Sequence, residues 1–448
     1  MSIRPNILVI MTDQQSAYMM SCATNTWLET PALDRLAASG IRFERAYCTN
    51  PVCVPSRFSL QTGRMPSVIG MKWNEDLPVP DTVIAQSLGP VFHAAGYETV
   101  YGGKVHLPGS LKDIETNGYK GLTRDGRQGL ADACVRFIKQ SHEAPFFLSA
   151  SFVNPHDICY LAINDARRTQ DQPVVDNQDS LTCESVAQEV RKSALSDLPP
   201  LPANHAAAQL EPEAIGTEYL THEYAGVRYR RHARDEWKER DWRVYRYTYR
   251  RLTEMVDREI GQVLDAVREA GLARDTLIVF TSDHGDMDGA HKLQHKSVLY
   301  EEAARVPFLM SWKGTIAEGV VDREHLVSNG LDLLPSLCEA AGVTPPAGLA
   351  GRSVLPLAKG DSDVDWREYL VVESLHGRML RTDRLKYSIY FSGDNREQLV
   401  DLKDDPGEMI NLADIGDFGA VLDEHRHLLR DWLVSTGDTV GLKYMENG

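Results

Sequence analysis

The chain has 448 residues, 42% hydrophobic and 25% charged, and its 48 basic against 64 acidic side chains leave a formal charge of −16. That length exceeds one ordinary core and suggests two domains of a globular protein. The acidic balance argues against general nucleic-acid binding, which works by neutralising phosphates, and no apolar run is long enough to span a membrane as a helix.

The opening "MSIRPNILVIMTDQQ" passes almost at once into an apolar strand pattern, with no apolar leader followed by a small-residue cleavage site. Cysteines at 22, 48, 53, 134, 159, 183 and 338 are irregularly spaced and include no CxxC, so they read as free thiols of a reducing compartment. Together these features predict a cytoplasmic protein. Oligomeric state is not legible, and a homo-oligomer stays open.

Residues 6–11 ("NILVIM") read as a buried strand, and 30–40 ("TPALDRLAASG") as a helix closed by glycine. Further strands are expected at 96–104, 145–153, 275–283 and 305–312. Strands separated by helices predict an α/β fold with a large, mostly parallel sheet. Residues 157–235 are polar and weakly periodic and contain "DLPPLP"; they read as an inserted excursion, a lid or an oligomer arm. A long helix is expected at 236–270, with Tyr245, Tyr249, Leu252, Val256, Ile260, Val263, Leu264 and Val267 on one face. Its arginine- and aromatic-rich first half, "WKERDWRVYRYTYRR", reads as a solvated basic face rather than a nucleic-acid patch. The catalytic domain is expected over 1–360. Residues 361–448 then form a smaller α+β domain, with a four-stranded antiparallel sheet and a helix near 418–434.

Open parallel sheets bind ligands beyond the carboxyl ends of their strands. Asp13 and Gln14 follow the first strand pattern; Lys104 and His106 follow the strand at 96–104. His156 follows the strand at 145–153, and Asp283 and His284 the one at 275–283. Asp13, Gln14, Asp283 and His284 can surround one cation. The three oxygen donors suit calcium or magnesium, whereas the imidazole favours manganese or zinc.

"CTNPVCVPSRFSLQTGR" poses a separate question. Pro55 suits the first turn of a short helix that ends at Gly63, which places Cys53 at the helix N-terminus, where an anion is favoured. Its thiol could serve as a low-pKa nucleophile, as a metal ligand, as a packed core residue or as the site of a chemical modification.

These residues resemble the signature of the type I sulfatases of the alkaline phosphatase superfamily, CxPSRxxLxTG, which stands here as Cys53-Val54-Pro55-Ser56-Arg57-Phe58-Ser59-Leu60-Gln61-Thr62-Gly63. The resemblance continues through "NILVIMTDQQ", "GGKVHL", "VNPHD", "TSDHGD", "HKSVLYEEAARVPF", "GRMLRTDRLKYS" and "DLKDDPGEMINLAD", but not through 157–235. It implies an alkaline-phosphatase-like fold and a sulfuric ester hydrolase in which a formylglycine-generating enzyme oxidises Cys53 to formylglycine. It further implies that Arg57 holds the hydrate of that residue and that Asp13, Gln14, Asp283, His284 and residue 53 form a metal site, usually for calcium, sometimes magnesium or manganese. Lys104, His106, His156 and Lys296 match the groups that bind sulfate and move protons. Many members carry two adjacent aspartates after the first strand and Asp-Asn after the later one; this chain has Asp13-Gln14 and Asp283-His284, which leaves metal identity open. The expected substrate is a sulfated small molecule or saccharide, with a carbohydrate sulfate favoured; the alternative is a phosphonate or phosphate ester of similar geometry. Specificity is expected from the loop 65–80 with Trp73 and Asn74, from the excursion, and from the region of His376 and Arg378.

Overall fold

The computed structural model describes residues 4–446. Its centre is an eight-stranded sheet. From edge to edge the strands are Lys120–Thr123, Glu98–Gly103, Phe146–Pro155, Asn6–Asp13, Thr276–Ser282, Phe308–Ser311, Ile41–Phe43 and Val320–Asp322. The first five of these run parallel; Phe308–Ser311 is antiparallel to both its neighbours. The expected mostly parallel α/β sheet is therefore present.

The near-unbroken apolar run of the first strand follows from burial on both faces. Ile7, Val9 and Met11 point into one core, with Leu333, Leu334 and Leu337 of the helix Asn329–Ala341. Leu8 and Ile10 point the other way, onto Val256, Ile260, Val263 and Val267 of the helix Glu239–Glu269. That long helix does two jobs along its length. Its second half covers the sheet; its first half carries Trp242, Tyr245, Tyr249 and Leu252 into a different core.

The second core is the excursion. Residues 157–235, which the sequence presents as a weakly patterned arm, fold into the helices Cys159–Thr169, Gln178–Val190 and Tyr229–Glu236. Leu161, Cys183, Ala187 and Tyr229 are buried in it against Trp242 and Tyr245. These helices are short and separated by irregular segments, and their apolar residues pack on the aromatic face of the long helix. Two arginines of the basic first half of that helix do not belong to a solvated face: Arg246 and Arg250 are buried and meet Asp288 at 3.0 and 3.1 Å.

The C-terminal unit is the expected antiparallel sheet, Leu370–Glu373, Gly377–Arg381, Leu385–Tyr390 and Glu397–Asp401 in chain order, with the helix Gly419–Thr436 on it. Alternation divides its side chains. Val371, Leu380, Tyr387 and Leu399 face Leu422, Leu429 and Leu433 of that helix, while Leu370, Val372, Met379 and Tyr390 share a core with Tyr47, Leu299 and Tyr300 of the main body. Lys386 of this sheet lies 2.6 Å from Glu408 and 3.4 Å from Glu301, pinning the two bodies together.

Candidate active site

Residues after four adjacent parallel strands meet at one edge of the sheet: Asp13 and Gln14, Lys104 and His106, His156, and Asp283 and His284. The helix Cys53–Thr62 lies across these ends, all ten of its residues buried. Val52 is extended at its N-cap and Gly63 closes it at φ 66°, a left-handed conformation that glycine adopts without strain. Cys53 thus stands at the first helical position, 1% exposed, facing the strand ends.

Arg57, one turn further on, ties the carboxylates in place. Its Nη2 donates to Asp13 Oδ2 at 2.9 Å and its Nε to Asp283 Oδ2 at 2.8 Å. Nη1 donates to the Lys104 carbonyl and to Ser151 Oγ at 2.9 and 2.8 Å. Lys104 Nζ lies 2.5 Å from the same Asp13 Oδ2. With the Oδ2 atoms so occupied, Asp13 Oδ1 and Asp283 Oδ1 are turned toward His284 Nε2, at 3.8 and 3.6 Å. His284 Nδ1 donates to the Gly285 carbonyl at 2.9 Å, which leaves Nε2 as an acceptor 3.2 Å from Cys53 Sγ. One ligating atom from each of Asp13, Cys53, Asp283 and His284 lies within 4.8 Å of all the others. Two buried carboxylates and one lone-pair nitrogen around a single point are a donor set that suits a divalent cation.

The electrostatics agree. Burial and the Cys53 charge oppose ionisation of Asp13, but Lys104, His156 and Arg57 outweigh them and hold it well below the usual carboxylate range. Burial, then the Asp13 charge, push Asp283 up. Burial also opposes thiolate formation at Cys53, yet Lys296 and then Lys104 outweigh it and hold this thiol well below its ordinary range.

Lys296 is buried, and its Nζ donates to Cys53 Sγ at 3.0 Å and to Gln14 Oε1 at 2.9 Å. Gln14 closes the site from that side. Its amide nitrogen donates to Asp286 Oδ2 at 2.7 Å and its amide oxygen also accepts from the Cys159 thiol at 3.1 Å. The oxygen of Gln14 is therefore turned to Lys296 and Cys159 rather than into the Asp–His cluster. His156 and His106 line the mouth, half-buried and exposed respectively. Burial, then Lys104, with Asp13 opposing, hold His156 down to about 4.

Several supporting residues gave no separate signal in the sequence. Asp286 accepts from Tyr245 Oη at 2.8 Å and from the His295 backbone at 3.1 Å as well as from Gln14. Tyr249 Oη donates to the Gln14 carbonyl at 2.6 Å. The available clue was that Tyr245 and Tyr249 lie four apart on one helix face, beside a motif rich in aspartate. Cys159 comes from the excursion, where nothing in the sequence pointed inward. Arg378, placed by the sequence near a specificity edge, is taken up by Asp438 at 2.5 Å and is 1% exposed. His376 is buried and packs on the ring of Tyr219, from the excursion.

A helix-flanked, mostly parallel sheet with a buried cysteine, two carboxylates, a histidine and two lysines at its strand ends defines a hydrolase of the alkaline phosphatase superfamily. Comparison with known proteins identifies the branch. The Sulfatase family model matches residues 5–343, and the model of the N-sulphoglucosamine sulphohydrolase C-terminal region matches 289–432. The chain belongs to the sulfatase family, whose members hydrolyse sulfate esters. It is 30% identical to the Delta 4,5-hexuronate-2-O-sulfatase of Bacteroides thetaiotaomicron, over 97% of this chain and 90% of that protein. An N-acetylglucosamine-6-O-sulfatase of the same organism is 24% identical over 96% of this chain and 86% of its own length. The solved structure of a 2-O GAG sulfatase superposes with a TM-score of 0.82 at 29% identity, covering 97% of this chain and 93% of that one. The phosphonate monoester hydrolase of Agrobacterium radiobacter shares the fold, with a TM-score of 0.74 at 20% identity over 97% of this chain and 96% of its own.

Proposed function

We propose that this chain releases sulfate from a sulfated saccharide, with residue 53 as the nucleophile once its thiol has been converted to formylglycine by a maturing enzyme. The observation that supports it best is the convergence of Cys53 Sγ on Lys296 at 3.0 Å and on His284 at 3.2 Å, inside a cage of two carboxylates. Similarity to a hexuronate-2-O-sulfatase and a GAG sulfatase supports the saccharide as the alcohol part.

Asp13, Asp283 and His284, with residue 53, would hold the divalent cation, calcium in this reading, and Gln14 would flank it. When bound, the cation withdraws charge from the sulfate oxygens and from the attacking oxygen. The formylglycine hydrate supplies two hydroxyls on one carbon, one to attack sulfur and one whose loss of a proton expels the product sulfate. Arg57 keeps both carboxylates in register. Lys104 and Lys296 present positive charge to the sulfate where its oxygens would otherwise repel an incoming nucleophile. Lys296, or His156 once the negative charge of a bound ester favours its protonated form, protonates the departing sugar oxygen, and His106, at the open edge, takes the proton from the hydrate.

The test is a parallel rate measurement on a panel of sulfated sugars, on nitrophenyl sulfate and on a phenyl phosphonate ester. The reading requires sulfate release from a sugar at a kcat/KM exceeding that for the phosphonate. A dominant phosphonate rate would place the chain with the phosphonate hydrolases that share its fold.

A further inference from the structure

The excursion and the C-terminal sheet meet the 65–80 loop at the mouth of the site, and they enclose a cation that lacks a counter-ion. Arg230, on the helix Tyr229–Glu236, is 3% exposed. Its Nε donates to Tyr229 Oη at 3.1 Å and its Nη1 to the Tyr219 carbonyl at 3.2 Å. Among the described residues, Nη2 meets no acceptor, and no carboxylate oxygen lies within 4.0 Å of any Arg230 nitrogen. Of the other buried arginines, Arg57, Arg246, Arg250 and Arg378 each face an aspartate, while Arg381 has no carboxylate that near but is held by Tyr47 Oη and backbone carbonyls through both Nε and Nη1. Three ring faces also lie against Arg230: Tyr219 at 4.1 Å, Tyr229 at 5.6 Å and Trp73 at 5.9 Å. Cation–π contacts hold a guanidinium but do not neutralise it.

A second group near it is also unpartnered. His376 is 5% exposed, packs on the Tyr219 ring at 6.2 Å, and has no hydrogen-bond partner for Nε2. His222, half-buried, packs on Trp73 at 5.2 Å. Burial, then the Arg230 charge, hold His376 down to about 3, and the same two causes hold His222 down to about 4.

This cluster adjoins the reacting centre on two sides. Asn74 Oδ1 accepts from the Val54 backbone at 3.0 Å, which sets Trp73 beside the N-terminus of the cysteine helix. Tyr229 Oη lies 3.3 Å from Nδ1 of His295, the residue before Lys296.

We infer that Arg230, with His376, His222 and the ring of Trp73, binds a second anionic group of the substrate, a carboxylate or a further sulfate on the saccharide that carries the scissile ester. A guanidinium with a free donor is suited to either anion, and burial strengthens the pairing. This inference rests on the saccharide-sulfatase reading above.

The test uses the enzyme carrying formylglycine and three probes: a sulfated uronic acid, a disulfated glucosamine and a sulfated neutral N-acetylhexosamine. At least one doubly anionic probe should exceed the neutral sugar in kcat/KM by roughly 30-fold, the effect expected of a buried charge pair. Which probe does so distinguishes carboxylate from sulfate. In Arg230→Gln and His222→Ala that ratio should fall toward one, chiefly through KM. Equal kcat/KM on all three probes, or a preference that survives Arg230→Gln, overturns the inference while leaving the sulfatase reading standing. If Arg230→Gln does not fold, His222→Ala and Trp73→Ala decide, and a preference kept in both overturns it. No sulfate from any probe, or from nitrophenyl sulfate, overturns the sulfatase reading itself.

Discussion

Lys296 Nζ donates to Cys53 Sγ across 3.0 Å, with both side chains buried. Its other short contact is the neutral amide oxygen of Gln14, at 2.9 Å. The asymmetry matters: Lys104 spends its charge on Asp13, and Arg57 spends its own on Asp13 and Asp283. Lys296 is therefore the cation most directly available to whatever residue 53 carries.

If Lys296 or His156 protonates the leaving oxygen, its loss must hurt most where the leaving group is a poor one. Lys296→Ala and His156→Ala should each be assayed on a sugar sulfate and on nitrophenyl sulfate. The variant that removes the general acid should lose roughly a hundredfold to ten-thousandfold in kcat on the sugar and far less on the nitrophenyl ester. Equal losses on both substrates would assign that residue to sulfate binding instead.

The cation reading has a readout that does not depend on turnover. Calcium at a hundred times its Kd should stabilise the fold by about 2.7 kcal/mol, seen as a rise in Tm. Asp283→Asn should abolish the rise, and repeating the melt with magnesium and manganese ranks the metals. An unchanged Tm with all three ions, together with full activity after chelation, would remove the metal from the account.

Asp286 reaches the reacting groups through Gln14, whose amide it orients at 2.7 Å, and through the His295 backbone beside Lys296, at 3.1 Å. Asp286→Asn preserves its shape but puts a second amide against the first. Outer-sphere partners of this kind contribute about 10- to 100-fold to activity or metal affinity. We expect that loss in kcat or in calcium affinity, with KM for the sulfate ester little changed. A fall in Tm with kinetics intact would show that Asp286 serves only the fold.

Away from the site, Glu373 reports on the seam between the two bodies. Burial pushes its carboxyl up to about 7, Arg378 pulling it down and Asp438 adding to the rise, while Oε2 accepts from the Ser67 backbone at 3.0 Å. An acid whose folded pKa exceeds its unfolded value binds its proton more tightly when folded. Its contribution therefore falls as pH rises from about 4.5 to about 7. Glu373→Gln should remove that loss, gaining stability relative to the parent between pH 5 and 8 by at most on the order of 3 kcal/mol. A difference in Tm that does not vary with pH would contradict the burial assigned to this carboxyl.

The strands, their mostly parallel order and the strand-end residues were legible because two-sided burial writes itself as short apolar runs, and because chemistry in such sheets collects where those runs stop. Cys53 was legible from its place ahead of Pro55 and Gly63. The excursion was not, because its helices are short, lie between irregular segments and find their core on aromatic side chains of the distant helix Glu239–Glu269. For the same reason Cys159 and Arg230 were invisible until the fold placed them: each acts on a partner more than sixty residues away in the chain. Of the arginines read as a solvent face, Arg246 and Arg250 turn inward because Asp288, from another segment, supplies their counter-charge.

The most direct measurement couples the mass of the peptide containing Cys53 to activity. Conversion of the thiol to formylglycine lowers that mass by about 18 Da. Preparations spanning a range of conversion should release sulfate in proportion to the converted fraction, and Cys53→Ala should release none. Full activity from protein whose residue 53 is wholly unconverted thiol would contradict the account.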